Sequence, residues 1–230
     1  VSQNGSNKNL ISVRSLPMKK ILSSLAITFL LSVNAGFAQA KQDNPQVIFK
    51  TEMGDIVVEL FPKAAPISVD NFVKNVNNFH YDGLIFHRVI KGFMIQTGGF
   101  TFDFSPRDAG RDAIVNESGN GLKNNRGTLA MARTADPDSA KAQFFINHKS
   151  NGSLNAKGNN PGYAVFGAVV SGMRVVDAIA VVNTQTMGPY GDVPVKPIRI
   201  LSARLANPES WTALPEPTPA ATIEKPVPLQ

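Results

Sequence analysis

With 230 residues, 43% of them hydrophobic, the chain holds enough apolar material for one substantial core and hardly for two. It has no cysteine, which excludes a disulfide framework, thiolate zinc sites and cysteine nucleophiles together. The net charge of +6 invites a nucleic-acid reading, but Lys8, Arg14, Lys19 and Lys20 supply +4 of it from the first forty residues, which contain no acid, and the remaining bases are interspersed with acids rather than massed to track phosphates.

Residues 1–17 read as a polar, disordered extension upstream of Met18. Met18-Lys19-Lys20 then opens a basic segment, an uncharged apolar run follows from Ile21 to Val33, and Ala38-Gln39-Ala40 supplies a small-x-small cleavage pattern. That order defines a signal peptide over residues 18–40, with an apolar run too short to span a bilayer comfortably. It predicts an exported protein starting at Lys41, free of the membrane after cleavage. The expected location is the periplasm, with full secretion as the other destination.

The next segment, residues 41–206, carries mainly β signals. Val47 to Lys50 and Ile56 to Phe61 are strand-like runs around Met53-Gly54-Asp55, which predicts a hairpin. Pro66 opens a helical pattern in which Val69, Phe72, Val73, Val76 and Phe79 recur at spacings of three and four. Further strands are predicted at Leu84 to Ile90, Phe93 to Thr97, Thr128 to Ala132, Phe144 to His148, Val165 to Val170 and Ile198 to Leu205. A second amphipathic helix is predicted from Met173 to Val182. Many short strands with two helices suggest an all-β fold, a closed antiparallel barrel with helical caps, because closure removes exposed sheet edges. Residues 207–230 contain Pro208, Pro215, Pro217, Pro219, Pro226 and Pro228 with few bulky apolar side chains, and read as a disordered Pro-rich tail.

Three blocks carry a resemblance. Phe86-His87-Arg88-Val89-Ile90-Lys91-Gly92-Phe93-Met94-Ile95-Gln96-Thr97-Gly98-Gly99 is the first. Ala130-Met131-Ala132-Arg133 with Ala142-Gln143-Phe144-Phe145-Ile146 is the second, and Tyr163-Ala164-Val165-Phe166-Gly167 the third. Their order and spacing resemble the cyclophilin-type peptidyl-prolyl cis–trans isomerases, most closely the periplasmic bacterial members, over roughly residues 46–206. The resemblance implies a closed eight-stranded antiparallel barrel capped by two α-helices, with its active surface on the outside. By the family pattern Arg88 is the catalytic arginine, with Gln96 holding the rotating carbonyl. Phe93, Met94, Phe145, Leu154 and Tyr163 would form the proline pocket and its rim, while Gln143 and the backbone around Arg133 would contact the peptide. The implied partners are X–Pro-containing unfolded or flexible polypeptides, met by a monomer; no nucleic acid is expected.

The chemistry suits these residue types. Amide resonance sets a barrier of ~18–20 kcal/mol to X–Pro rotation. Turnover near ~10³ s⁻¹ from ~10⁻² s⁻¹ needs about 7 kcal/mol of preferential transition-state stabilisation. No bond breaks, so no nucleophile, metal or cofactor is required. In the twisted amide the prolyl nitrogen regains a lone pair, and a fixed cationic donor there favours the transition state over the planar ground state.

Taken singly, each residue has a plainer reading: Arg88 as a charge facing solvent beside a sheet, Gln96 and Gln143 as strand polars, and Phe93, Phe144, Phe145 and Phe166 as core aromatics. His80, His87 and His148 read as structural. Strand alternation puts Met94 and Gln96 on one face and Phe93 on the other, so only the resemblance, or a bulge at Gly92, brings Phe93 to the site. Three positions depart from the family. Lys91 replaces a commoner proline, Ser153 stands where cyclosporin-sensitive members carry tryptophan, and Tyr163 stands where many eukaryotic members carry histidine. A cyclophilin-like peptide-binding module or holdase with little catalysis is the alternative. A hydrolase is disfavoured, since the chain lacks Gly-x-Ser-x-Gly and His-Glu-x-x-His.

Overall fold

Alternation with a period of two builds the first hairpin. In β1 (Gln46–Thr51) and β2 (Gly54–Leu60), Val47, Phe49, Ile56, Val58 and Leu60 point inward and are buried, and the strands pair from Gln46↔Glu59 to Thr51↔Gly54. A computed structural model describes residues 44–214. The upstream extension, the signal peptide and residues 215–230 of the expected tail lie outside the described residues. The hairpin turns at Glu52 and Met53, where Met53 N–H donates to Thr51 Oγ1 (3.1 Å) and Thr51 Oγ1 donates to Gly54 O (2.6 Å). Gly54 sits at φ +121°, a backbone region that only glycine enters freely.

Helix α1 (Pro66–Asn77) starts on Pro66, whose missing N–H costs nothing at a helix N-terminus. The carboxylate of Glu117 caps the first turn, accepting from Ile67 N–H (3.0 Å) and Ser68 N–H (2.7 Å). Val69, Phe72, Val73 and Val76 are buried as expected, but Phe79 is not on that face. The helix ends at Asn77, Phe79 adopts φ +56°, and its ring is 58% exposed under the Arg204 guanidinium (4.5 Å).

The remaining elements are β3 (Arg88–Ile90), β4 (Met94–Thr97), β5 (Thr128–Met131), β6 (Phe144–Asn147), β7 (Val165–Ser171), α2 (Met173–Ile179), β8 (Thr184–Met187), β9 (Tyr190–Pro194) and β10 (Ile200–Leu205). The main sheet has eight antiparallel strands in the order β10-β1-β2-β7-β5-β6-β4-β3, with β8 and β9 as a separate hairpin. The expected closed barrel is corrected to an open, curled sheet ending in β10 and β3. The reason lies in Leu84 to His87. All four residues are buried, and their backbone groups bond in several directions instead of forming one ladder. Ile85 N–H donates to Phe100 O, Phe86 N–H to Ile198 O, and Ile200 N–H to Leu84 O. The run predicted as one strand from Leu84 is therefore a strand only from Arg88.

The start of the expected tail is also corrected. Asn207 Oδ1 accepts from Gln46 N–H (2.8 Å), Pro208–Ser210 form one 3₁₀ turn, Trp211 packs against the core, and Leu214 N–H donates to Asp70 Oδ1 (2.9 Å). Trp211 supplies apolar area that prolines alone would not.

Phe72 is central to the core, with ring centroids 6.1 Å from Phe49, 5.3 Å from Tyr81, 5.3 Å from Phe144 and 5.0 Å from Phe166. Phe72→Ala would leave a void between four rings that cannot all collapse inward. We expect it to cost about 3–5 kcal/mol in urea unfolding.

Candidate active site

The site is assembled on the sheet face turned away from this core. In the β3–β4 hairpin, Arg88 pairs with Gln96, Val89 with Ile95 and Ile90 with Met94. Val89 and Ile95 belong to the main core, so alternation turns Arg88, Ile90, Met94 and Gln96 to the other face. In β6, Phe144 and Ile146 likewise fill the core while Phe145 faces away. Registers Gln96↔Phe145 and Ala130↔Phe145 bring the three strands together there. Met94, Ala130, Phe145 and Val165 form a second, smaller apolar cluster, flanked by Phe93, Leu154 and Tyr163.

Phe93 reaches this face without a bulge. It lies in the turn before β4, where strand alternation does not apply, and Gly92 at φ +70° makes that turn. Phe93 O accepts from His148 N–H (2.9 Å) and Asn151 Nδ2 (2.8 Å), and Gly92 N–H donates to His148 Nδ1 (3.1 Å). Asn151 Nδ2 also donates to Asn147 Oδ1 (2.7 Å), Asn147 Nδ2 to Asn124 Oδ1 (3.1 Å), and Asn124 Nδ2 to Leu154 O (3.1 Å). Buried amides thus tie the Phe93 wall to the Leu154 wall.

The resulting cleft, about 160 Å³ in volume, has room for a ring the size of proline. It is lined by Arg88, Phe93, Met94, Gln96, Ala132, Arg133, Phe145, Leu154 and Tyr163. Of the residues expected at the site, all but Gln143 line it. Gln143 stands beside Gln96, accepting from Gln96 Nε2 at its Oε1 (2.9 Å). The neighbouring glycine makes room for it, since a Cβ at Gly99 would fall 2.5 Å from Gln143 Nε2. The Tyr163 ring meets Phe145 edge-on (5.7 Å). The Arg133 guanidinium covers Tyr163 (4.5 Å) and donates to Gly162 O (2.9 Å), so this side chain builds the wall instead of reaching across the cleft.

Sequence reasoning did not place Ala132 in the lining, although its strand-end position two residues after Ala130 carries that signal. It also missed Asp192 of β9, whose Oδ2 lies 3.6 Å from Arg88 Nε. Nothing in Thr184 to Pro194, interrupted by Gly188-Pro189, alternates clearly enough to announce a hairpin.

His87, next to Arg88, is buried against Phe100 (4.8 Å) with its Nδ1 unpartnered. Burial, reinforced by the Arg88 charge and opposed by hydrogen bonds the ring makes to Gln143 and to the Ile85 backbone, pushes its pKa down to about 4. The ring is neutral at pH 7 and takes no part as an acid.

Fold and cleft define a β-sheet protein with an apolar cleft beside a half-exposed guanidinium. The sequence profile of the cyclophilin type peptidyl-prolyl cis-trans isomerase/CLD family matches residues 46–205. A peptidyl-prolyl cis-trans isomerase of Acinetobacter baylyi is 52% identical over 164 residues, which cover 71% of this chain and 87% of the relative. Peptidyl-prolyl cis-trans isomerase A of Dickeya dadantii is 47% identical over 188 residues, covering 81% of this chain and 97% of that one. The crystal structure of a Cryptosporidium parvum cyclophilin type isomerase, determined in the presence of the dipeptide Ala-Pro, superimposes with a TM-score of 0.58 at 26% identity. It covers 70% of this chain and 98% of its own. The chain belongs to the cyclophilin family and is a peptidyl-prolyl cis–trans isomerase.

The state of His87 gives a pH dependence. Below its ordinary value of 6.5 the unfolded chain binds a proton that the folded ring refuses, so stability falls as pH drops from 6.5 towards about 4. The loss should reach about 3 kcal/mol from this residue. An NMR titration of the imidazole should give a midpoint near 4; an ordinary midpoint would contradict the burial argument.

Proposed function

We propose that the cleft binds the proline ring of X–Pro segments in flexible polypeptides and that Arg88 is the residue that accelerates their rotation. The observation that carries this reading is the placement of Arg88 on the same cleft as Phe93, Met94 and Phe145. The apolar walls grip the ring, whose hydration is lost on entry. The guanidinium stays charged and faces the edge where the prolyl nitrogen would lie. As the amide twists, that nitrogen gains a lone pair, and the attraction grows between ground state and transition state. Gln96, steadied by Gln143, presents an amide to the preceding carbonyl. No proton transfer is needed, which agrees with a neutral His87.

The Ala-Pro dipeptide in the Cryptosporidium parvum work supports proline as the recognised residue. The signal sequence over residues 18–40 supports export, with the mature monomeric enzyme assisting folding of envelope proteins in the periplasm. Protein recovered from that compartment should begin at Lys41 by mass spectrometry.

An NMR-exchange assay on an X–Pro peptide tests the role of Arg88. Arg88→Ala should lower kcat/KM by a factor on the order of 10² to 10³ with folding retained. Phe145→Ala should act mainly by raising KM. Activity unchanged in Arg88→Ala would remove this residue from the mechanism. Ser153 is exposed on the 3₁₀ turn Gly152–Leu154 and offers no indole surface. Calorimetry should therefore show weak cyclosporin binding, and a sub-micromolar affinity would contradict the assignment.

A further inference from the structure

Asp192 occupies an unusual position for a surface carboxylate. It stands in β9 at φ +62°, the left-handed region that L side chains other than Asn and Asp seldom enter. The hairpin that carries it is anchored. Val193 is buried, and the Tyr190 ring packs on Phe100 (5.3 Å) and Phe104 (5.1 Å). Phe100 in turn lies against His87, the residue before Arg88. One aromatic cluster therefore holds both the hairpin and the start of β3, which fixes Asp192 relative to Arg88. The side chains of the pair are 42% and 45% exposed, so neither charge is stripped of water and the cation is not quenched.

From this geometry we infer that Asp192 is a positioning residue for Arg88: it restrains the guanidinium through Nε and leaves the terminal NH₂ groups for the cleft. An arginine side chain has several rotatable bonds, and freezing them at the transition state opposes catalysis. A partner that holds the fork beforehand removes part of that cost. The inference rests on the proposed role of Arg88.

A double-mutant cycle on the full chain tests it, using the NMR-exchange assay with Asp192→Asn, Asp192→Glu, Arg88→Lys and the Asp192→Asn/Arg88→Lys pair. Asparagine keeps the size of Asp192 and tolerates its φ, so the hairpin is retained. Asp192→Asn should lower kcat about fivefold while KM stays within a factor of about two, and Asp192→Glu should restore part of the loss. In the Arg88→Lys background, which has no Nε to hold, Asp192→Asn should change nothing further. An Asp192→Asn variant as fast as wild type, or faster, overturns the inference. So does an equal loss in both backgrounds, which would place the effect in the hairpin's structure. Full activity in Arg88→Lys overturns the reading of Arg88 itself, and the positioning role with it.

Discussion

The architecture rests on β4, β5 and β6 being buried on both faces. In most antiparallel sheets alternation separates a core face from a wet one. Here Ile95, Leu129, Phe144 and Ile146 enter the main core while Met94, Ala130 and Phe145 build a second apolar surface behind it. The cleft is that second surface, so the proposed site and the core draw on the same strands. A slip of one residue in β6 would turn Ile146 out of the core and pull Asn147 from its buried amide partners. Register is thereby specified twice over.

Two polar arrangements around the cleft differ in kind, and magnitudes explain why. A buried amide left unpaired costs about 1–3 kcal/mol, so Asn124, Asn147 and Asn151 are bonded to one another and to the backbone beneath the cleft. That network is worth its burial because it fixes the separation of the Phe93 and Leu154 walls. The exposed pair of Arg88 and Asp192 is worth at most about 1 kcal/mol in stability. Weakness suits it, since a guanidinium locked into a dry ion pair could not turn its charge to a substrate. Rigidity is placed where shape matters, and solvation is kept where charge matters.

Much of this was legible in the residues. Strong alternation in β1 and β2, the three- and four-residue spacing of α1 and the apolar runs of β4 to β7 place these elements within a few residues of their observed bounds. What failed did so for identifiable reasons. Phe79 fits the helical period, but Asn78 ends the helix and a left-handed turn carries the ring outward. Leu84 to His87 read as a strand from composition, yet full burial let their backbone bond in several directions and left the sheet open. Trp211 went unweighed against the surrounding prolines. At the site, the family resemblance names eight of the nine cleft-lining residues and misses Ala132, whereas Asp192 arrives from a distant hairpin with no local signal. Periodicity reports which face a residue takes; it does not report which loops converge on that face.

The seam beside β10 carries a consequence of a different sort. Gly83 N–H and Phe86 N–H donate to Ile200 O and Ile198 O, and Ile200 N–H donates to Leu84 O, so Ile198 O and both main-chain groups of Ile200 on that border are already paired. The clients proposed above, extended and incompletely folded chains, are the molecules best able to add a strand to a bare border. Were that border vacant, each encounter with a client would risk co-assembly in place of release. The irregular bonding of residues 83–86 therefore occupies the first part of this border, where a client of the proposed kind would otherwise add a strand.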